Sequence, residues 1–226
     1  MKIQEARFVT SLPAGGRLPI DTAPIVAMVG RSNVGKSSLL NALTGQRIAR
    51  AGAKPGTTRM VNLYAARTVA AGMRALRFTL ADLPGYGFAR GGETARREFD
   101  ALTRSFFKRL VRDPERDCGP EETRLAGAIL VVDGRHPGLE SDLAALAWLL
   151  GLGPPVTVVT TKNDRQSGNV QRALRSRHER SLERSVLPVS SKTGAGVNAV
   201  RTALGAMLNP AKPPSGASSS QDRSRS

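Results

Sequence analysis

The chain has 226 residues, 40% of them hydrophobic, which is enough for one domain with a proper core. No apolar run approaches the roughly 18 residues that would span a membrane, and the single cysteine, Cys118, excludes an internal disulfide and has no Cys or His at metal-ligand spacing. A formal net charge of +16, with arginine in excess, favours a polyanionic partner such as nucleic acid or ribonucleoprotein; the alternative is an arginine-rich composition that only solvates the surface. The N-terminus carries an acid and no apolar core of a signal peptide, so the expected location is the cytoplasm.

Residues 1–22 read as a leader with one buried edge around Phe8 and Val9, then a Gly/Pro-rich connection at Pro13–Gly16. Pro24–Val29 is a short apolar, β-branched run that predicts a buried parallel strand. It opens into Gly30-Arg31-Ser32-Asn33-Val34-Gly35-Lys36-Ser37-Ser38, a match to G-x-x-x-x-G-K-[ST], the loop whose backbone N–H groups cradle a polyphosphate. Good helix formers then run to Leu43 and stop at Gly45, a C-terminal cap. Strand, glycine loop and helix start together aim amides and helix dipole at one anion. Gly30 and Gly35 let the backbone approach the phosphates, Lys36 reaches their β- and γ-oxygens, and the Ser37 hydroxyl is a Mg²⁺ ligand.

Ala51–Arg59 cannot sustain a helix or the interior of a sheet and reads as a loop. A nucleotide switch needs a Thr there to sense Mg²⁺ and the γ-phosphate: Thr58, with Thr57 as the alternative. Met60–Val69 and Arg74–Leu80 predict a hairpin. The second strand delivers Asp82-Leu83-Pro84-Gly85, in which the carboxylate can hold the Mg²⁺ shell and the Gly85 N–H can meet the γ-phosphate. Lys36, Thr58 and Gly85 are therefore the candidate catalytic groups. Gln occupies the position of Tyr86 in Ras-like GTPases and orients the attacking water; Tyr86 cannot do so in the same way, so unaided hydrolysis is expected to be slow.

Glu93–Arg112 predicts a helix with Phe99, Leu102, Phe106 and Leu110 on one stripe, and Phe106 and Phe107 as core. A buried strand over Gly127–Asp133, a helix over Leu139–Leu150 with Trp148 packing inward, and a strand over Val156–Thr160 follow. The last delivers Thr161-Lys162-Asn163-Asp164, which fits [NT]-K-x-D. Asp164 can accept from N1–H and N2–H₂ of guanine, whereas adenine would leave it unpaired; Lys162 lays its stem along the base plane. Arg165–Ser185 predicts a basic helix, either a solvated outer helix or a contact for anions. Val186–Val189 reads as a strand reaching Ser190-Ser191-Lys192, similar to the S-A-K loop that meets guanine O6, and a final helix carries Val197, Val200, Leu204 and Leu208. Residues 209–226 have the composition of a disordered basic, Ser-rich tail, which leaves 23–208 as the nucleotide domain.

The wording of these motifs is narrower than the generic set. G-R-S-N-V-G-K-S-S-L, P-G-x-T, D-L-P-G-Y-G-F-A and V-V-D-x-R-H at Val131–His136, with the F-V-T-S leader at Phe8–Ser11, resemble the EngB/YsxC family of bacterial ribosome-assembly GTPases over about Ala6–Leu208. The resemblance implies an α/β, Ras-like P-loop GTPase domain with a six-stranded, mostly parallel sheet flanked by helices. It implies GTP/GDP contacts at Gly30–Ser38, Gly56–Met60 (Gly56, Thr57, Thr58, Arg59, Met60), Asp82–Gly85, Thr161–Asp164 and Val189–Ser191, with Mg²⁺ at Ser37, Thr58 and Asp82. It further implies a large ribosomal subunit precursor or rRNA as partner, a role in normal cell division and septation, no membrane, and a monomer. Asn33 is similar to the phosphate-loop Asn that coordinates K⁺ in some related GTPases, so K⁺ is a second candidate cofactor. The family usually has Ala where Asn163 stands. The competing readings are a P-loop small-molecule kinase, which gives no reason for T-K-x-D, and an RNA-binding protein with a vestigial nucleotide site, against which the intact Lys36, Ser37 and Asp82 argue.

Overall fold

The computed structural model describes residues 1–19, 23–50, 60–69, 75–86, 92–110 and 124–209. Its strands are β1 (Lys2–Leu12), β2 (Ile25–Gly30), β3 (Val61–Val69), β4 (Arg77–Asp82), β5 (Leu125–Asp133), β6 (Val156–Thr161) and β7 (Val186–Pro188). Its helices are α1 (Lys36–Thr44), α2 (Gly92–Lys108), α3 (Glu140–Leu150), α4 (Gly168–Leu182) and α5 (Val197–Leu208).

The strands form one sheet in the order β1-β3-β4-β2-β5-β6-β7. From β4 to β7 all neighbours are parallel, and β3 is antiparallel to both β1 and β4. The apolar run of β2 has no residue suited to water, so the strand takes the middle of the sheet and is buried throughout. Its side chains alternate between two layers. Val26 and Met28 meet Leu39, Leu40 and Leu43 of α1 and Val200 and Leu204 of α5. Ile25, Ala27 and Val29 meet Leu102, Phe106 and Phe107 of α2 and Leu146 and Leu149 of α3. Trp148 packs edge-on to Phe107 with ring centroids 4.9 Å apart, as expected of a core aromatic. Parallel strands end on one side, so the loops after β2, β4, β5, β6 and β7 all open on the same edge of the sheet.

The hairpin of β3 and β4 forms as predicted, and Gly45 caps α1 at φ 69° with its N–H on the Asn41 carbonyl, 2.9 Å away. The sheet has seven strands rather than six, because the leader is an edge strand. Register shifts between Ile3 and Glu5 and between Phe8 and Thr10 interrupt its alternation. Ile3 and Ala6 therefore face the α1/α5 layer, while Leu12 faces the α2/α3 layer. Inward residues then recur without a period of two, which hides the strand from pattern reading. Phe8, expected to be buried, is 50% exposed. The connection behind β1 is pinned by the Arg109 guanidinium, which donates to the carbonyls of Gly15 and Gly16. The predicted tail from residue 210 lies outside the described residues. Among the described residues, no helix is long and apolar enough to cross a membrane.

Candidate functional site

The loop between β2 and α1 has the conformation its glycines were expected to allow. Gly35 stands at φ 112°, and a Cβ on Gly30 would collide with the carbonyl of Val131. Asn33 also adopts the left-handed region, at φ 59°, which Asn tolerates better than most residues. Lys36 is buried, and its ammonium folds back onto the loop, donating to the carbonyls of Gly30 at 3.0 Å and Arg31 at 3.2 Å. Burial pushes its pKa down while the charge of Asp82 opposes that shift. A buried ammonium that donates to two loop carbonyls, with the Asp82 carboxylate charge nearby, is suited to a phosphate counter-charge.

Beside it, Ser37 Oγ donates to Asp82 Oδ2 at 2.9 Å. Asp82 Oδ1 is buried and has no hydrogen-bond partner among the described residues. Burial pushes the Asp82 carboxyl up, against the attraction of Lys36 and the Ser37 hydrogen bond. An orphaned carboxylate oxygen next to a serine hydroxyl is an all-oxygen donor set of the kind a hard divalent cation takes, so the residues fit Mg²⁺. Gly85 seats directly on the phosphate loop, where a Cβ would overlap the Ser32 backbone, and Ser32 N–H donates to the Tyr86 carbonyl at 3.1 Å. Leu83 N–H donates to the Met28 carbonyl at 3.2 Å, fixing the start of the D-x-P-G turn. The Tyr86 side chain turns to α3, with its hydroxyl on Asp142 Oδ1.

The T-K-x-D segment is joined to this loop by side chains. Thr161 Oγ1 donates to the Val34 carbonyl at 2.6 Å, and Lys162 Nζ donates to the Asn33 carbonyl at 2.8 Å. Asn163 Nδ2 reaches the carbonyls of Thr160 at 2.7 Å and Val189 at 3.0 Å, tying the segment to the S-S-K loop. At that position an Ala could make neither bond. Asp164 stands exposed in a short 3-10 turn over Asn163–Arg165. Ser190 is buried, its hydroxyl accepting from Thr193 N–H at 3.2 Å, and Ser191 beside it is half-buried.

The structure thus gathers Gly30–Ser38, Asp82–Gly85, Thr161–Asp164 and Val189–Ser191 on one edge of the sheet. Gly56, Thr57, Thr58 and Arg59 lie outside the described residues, and Met60, 44% exposed, lies just before β3. Two contributors were given no role by sequence reasoning. Asp142 anchors Tyr86. Asp133, at the end of β5, accepts from Lys162 Nζ at 2.9 Å. Asp133 had a signal, a carboxylate at the C-terminal end of a buried strand, whereas Asp142 sits in an ordinary helix start and had none.

The profile of the 50S ribosome-binding GTPase family matches residues 25–162. The probable GTP-binding protein EngB of Thermotoga petrophila is 34% identical over 212 residues, covering 92% of this chain and 98% of its own length. That of Koribacter versatilis is 37% identical over 193 residues, covering 85% and 88%. The chain belongs to the EngB family of GTPases. A crystal structure of a probable EngB GTP-binding protein superposes with a TM-score of 0.55 at 21% identity, over 81% of this chain and 98% of that one, so the fold is shared as well. The α/β phosphate-loop fold expected from the resemblance is the one observed, and EngB membership favours a GTPase over a small-molecule kinase. Strand β1 forms one edge of the sheet beside β3, and β7 forms the other.

Proposed function

We propose that the chain is a guanine-nucleotide switch that hydrolyses GTP slowly with Mg²⁺ and, in its GTP form, docks on a large ribosomal subunit precursor. The carrying observation is the side-chain stitching of T-K-x-D to the phosphate loop through Thr161 and Lys162. It joins a base-reading segment to a phosphate cradle at a fixed spacing, as a nucleoside polyphosphate requires. Ser37 and Asp82 would hold Mg²⁺, which when bound neutralises phosphate charge, and Asp164 would read guanine. Gly56–Met60 with Thr58 would complete the phosphate end, and K⁺ near Asn33 is an additional candidate. Slow turnover is supported by Tyr86, whose hydroxyl is taken by Asp142 and so does not orient a water.

The ribosomal partner is supported by the net charge of +16 and by α4, where Arg172, Arg175, Arg177 and Arg180 are exposed, with Arg184 exposed just beyond its C-terminal end. Among the described residues, only Arg175 of these pairs with a carboxylate, that of Glu179. Unpaired guanidinium groups release counterions when they meet phosphates. Roles in subunit assembly and septation, a cytoplasmic location and a monomeric state extend the same reading. The test is co-sedimentation with ribosomal subunits in GDP, GTP and a non-hydrolysable analogue across a salt series. Binding to one subunit that favours the GTP state, and weakens linearly in log salt, is the expected result. Binding that ignores the nucleotide would overturn the switch.

A further inference from the structure

Asp133 closes β5 and is buried, yet its carboxylate is crowded with donors. Oδ1 accepts from the Arg135 N–H at 3.1 Å and Arg135 Nε at 2.8 Å, and Oδ2 from Arg135 Nη2 at 2.6 Å and Lys162 Nζ at 2.9 Å. His136 Nδ1 stands 3.7 Å from Oδ1. Burial alone would raise this carboxyl, but the hydrogen bonds from Arg135 and Lys162 override it and hold the group well below the usual carboxylate range. The carboxylate is therefore an ionised, two-point anchor: Arg135 grips both oxygens in a fork, and Lys162 takes the remaining lone pair.

Lys162 is the group with most to gain from an anchor. Its backbone is left-handed at φ 61°, and its long stem carries more rotamer freedom than almost any other side chain. Between Asp133 Oδ2 and the Asn33 carbonyl, the ammonium has two fixed partners, one on β5 and one on the phosphate loop. We propose that Asp133 is a positioning residue for the guanine site, holding Lys162 in its nucleotide-ready pose before the base arrives, with Arg135 orienting Asp133 in turn. The inference rests on the guanine-nucleotide reading above. Its function is preorganisation: the ordering of Lys162 is completed on folding, so it does not weaken nucleotide binding.

The test is a double-mutant cycle on the full chain, reading the dissociation constant of a fluorescent GDP, with thermal unfolding alongside. Asp133→Asn should weaken GDP about tenfold, the scale of one charge-assisted hydrogen bond, and should weaken IDP equally, because Lys162 lies against the base plane and reads no exocyclic group. In a Lys162→Ala background, Asp133→Asn should change nothing further, since the anchor then has no cargo. Arg135→Ala leaves the carboxylate in place and should show a smaller loss that also vanishes with Lys162→Ala; it carries the test if Asp133→Asn does not fold. Full additivity with Lys162→Ala, or unchanged GDP affinity in both variants, would overturn the positioning role while leaving the guanine site intact. A wild-type chain that binds ADP as tightly as GDP would overturn the guanine reading itself, and this inference with it.

Discussion

The Tyr86 hydroxyl donates a 2.8 Å hydrogen bond to Asp142 Oδ1, joining the residue after D-x-P-G to the first turn of α3. Asp142 is 3% exposed, and burial raises its pKa against the opposing hydrogen bond from Tyr86. Burial and the Asp142 carboxylate also push the Tyr86 phenol far up, so it stays protonated and able to donate. Tyr86→Phe would leave a buried carboxylate oxygen without that donor. The expected loss is about 2 kcal/mol of unfolding free energy, measured by denaturant titration. A change under about 0.5 kcal/mol, the scale of an ordinary surface substitution, would show that the bond contributes little to the fold.

Asp164→Asn should exchange the base preference. The amide can donate to the C2 oxygen of xanthine, whereas it meets the N2–H₂ of guanine with a mismatched donor. Competition between XDP and GDP should shift toward XDP by at least tenfold, with the loss for a mispaired polar group against the base as the driving cause. Unaltered preference would remove Asp164 from the site.

Asp82 and Ser37 predict a metal requirement that depends on pH. Burial raises the Asp82 carboxyl, so a proton competes with Mg²⁺ more strongly here than at a solvated carboxylate. Chelating Mg²⁺ should weaken GTP binding, and the Mg²⁺ needed for half-maximal binding should rise as the pH is lowered. In Asp82→Asn that pH dependence should flatten. Equal Mg²⁺ curves for the two proteins would place the cation elsewhere.

His178 on α4 is 2% exposed, and its Nε2 has no partner among the described residues. Burial lowers its pKa from the ordinary value of 6.5, against hydrogen bonds to the backbone of Gly134 and Asp133 and the attraction of the Asp133 carboxylate; nearby His136 lowers it further. Between the folded value and 6.5 the unfolded chain binds a proton that the folded chain does not. Stability should therefore fall as the pH drops through 6.5 toward the folded value. His178→Gln should reduce that slope in thermal unfolding between pH 7.5 and 5.5. An identical slope would assign the acid sensitivity to other groups.

Much of this molecule was legible from local chemistry. A phosphate loop needs glycines where the backbone turns left-handed, and a doubly buried strand must be apolar throughout, so Gly30–Ser38 and β2 announce themselves in a few residues. D-x-P-G and T-K-x-D are short for the same reason, since each acts within one turn after a strand. Asn163 illustrates the limit: its place in the motif was evident, but its bonds to Thr160 and Val189 depend on β6 and β7 lying side by side.

The sequence by itself therefore determined the central strand, the helices, the phosphate loop and the order of the motifs, because each rests on interactions among residues close in the chain. Only the tertiary structure decided that the leader is a seventh strand, since its two register shifts erase the alternation that would mark it. It alone decided that Asp133 holds Lys162, 29 residues away, and that Asp142 holds Tyr86, 56 residues away. A carboxylate's partner is set by which strands and helices the sheet brings together, and no spacing along the chain encodes that.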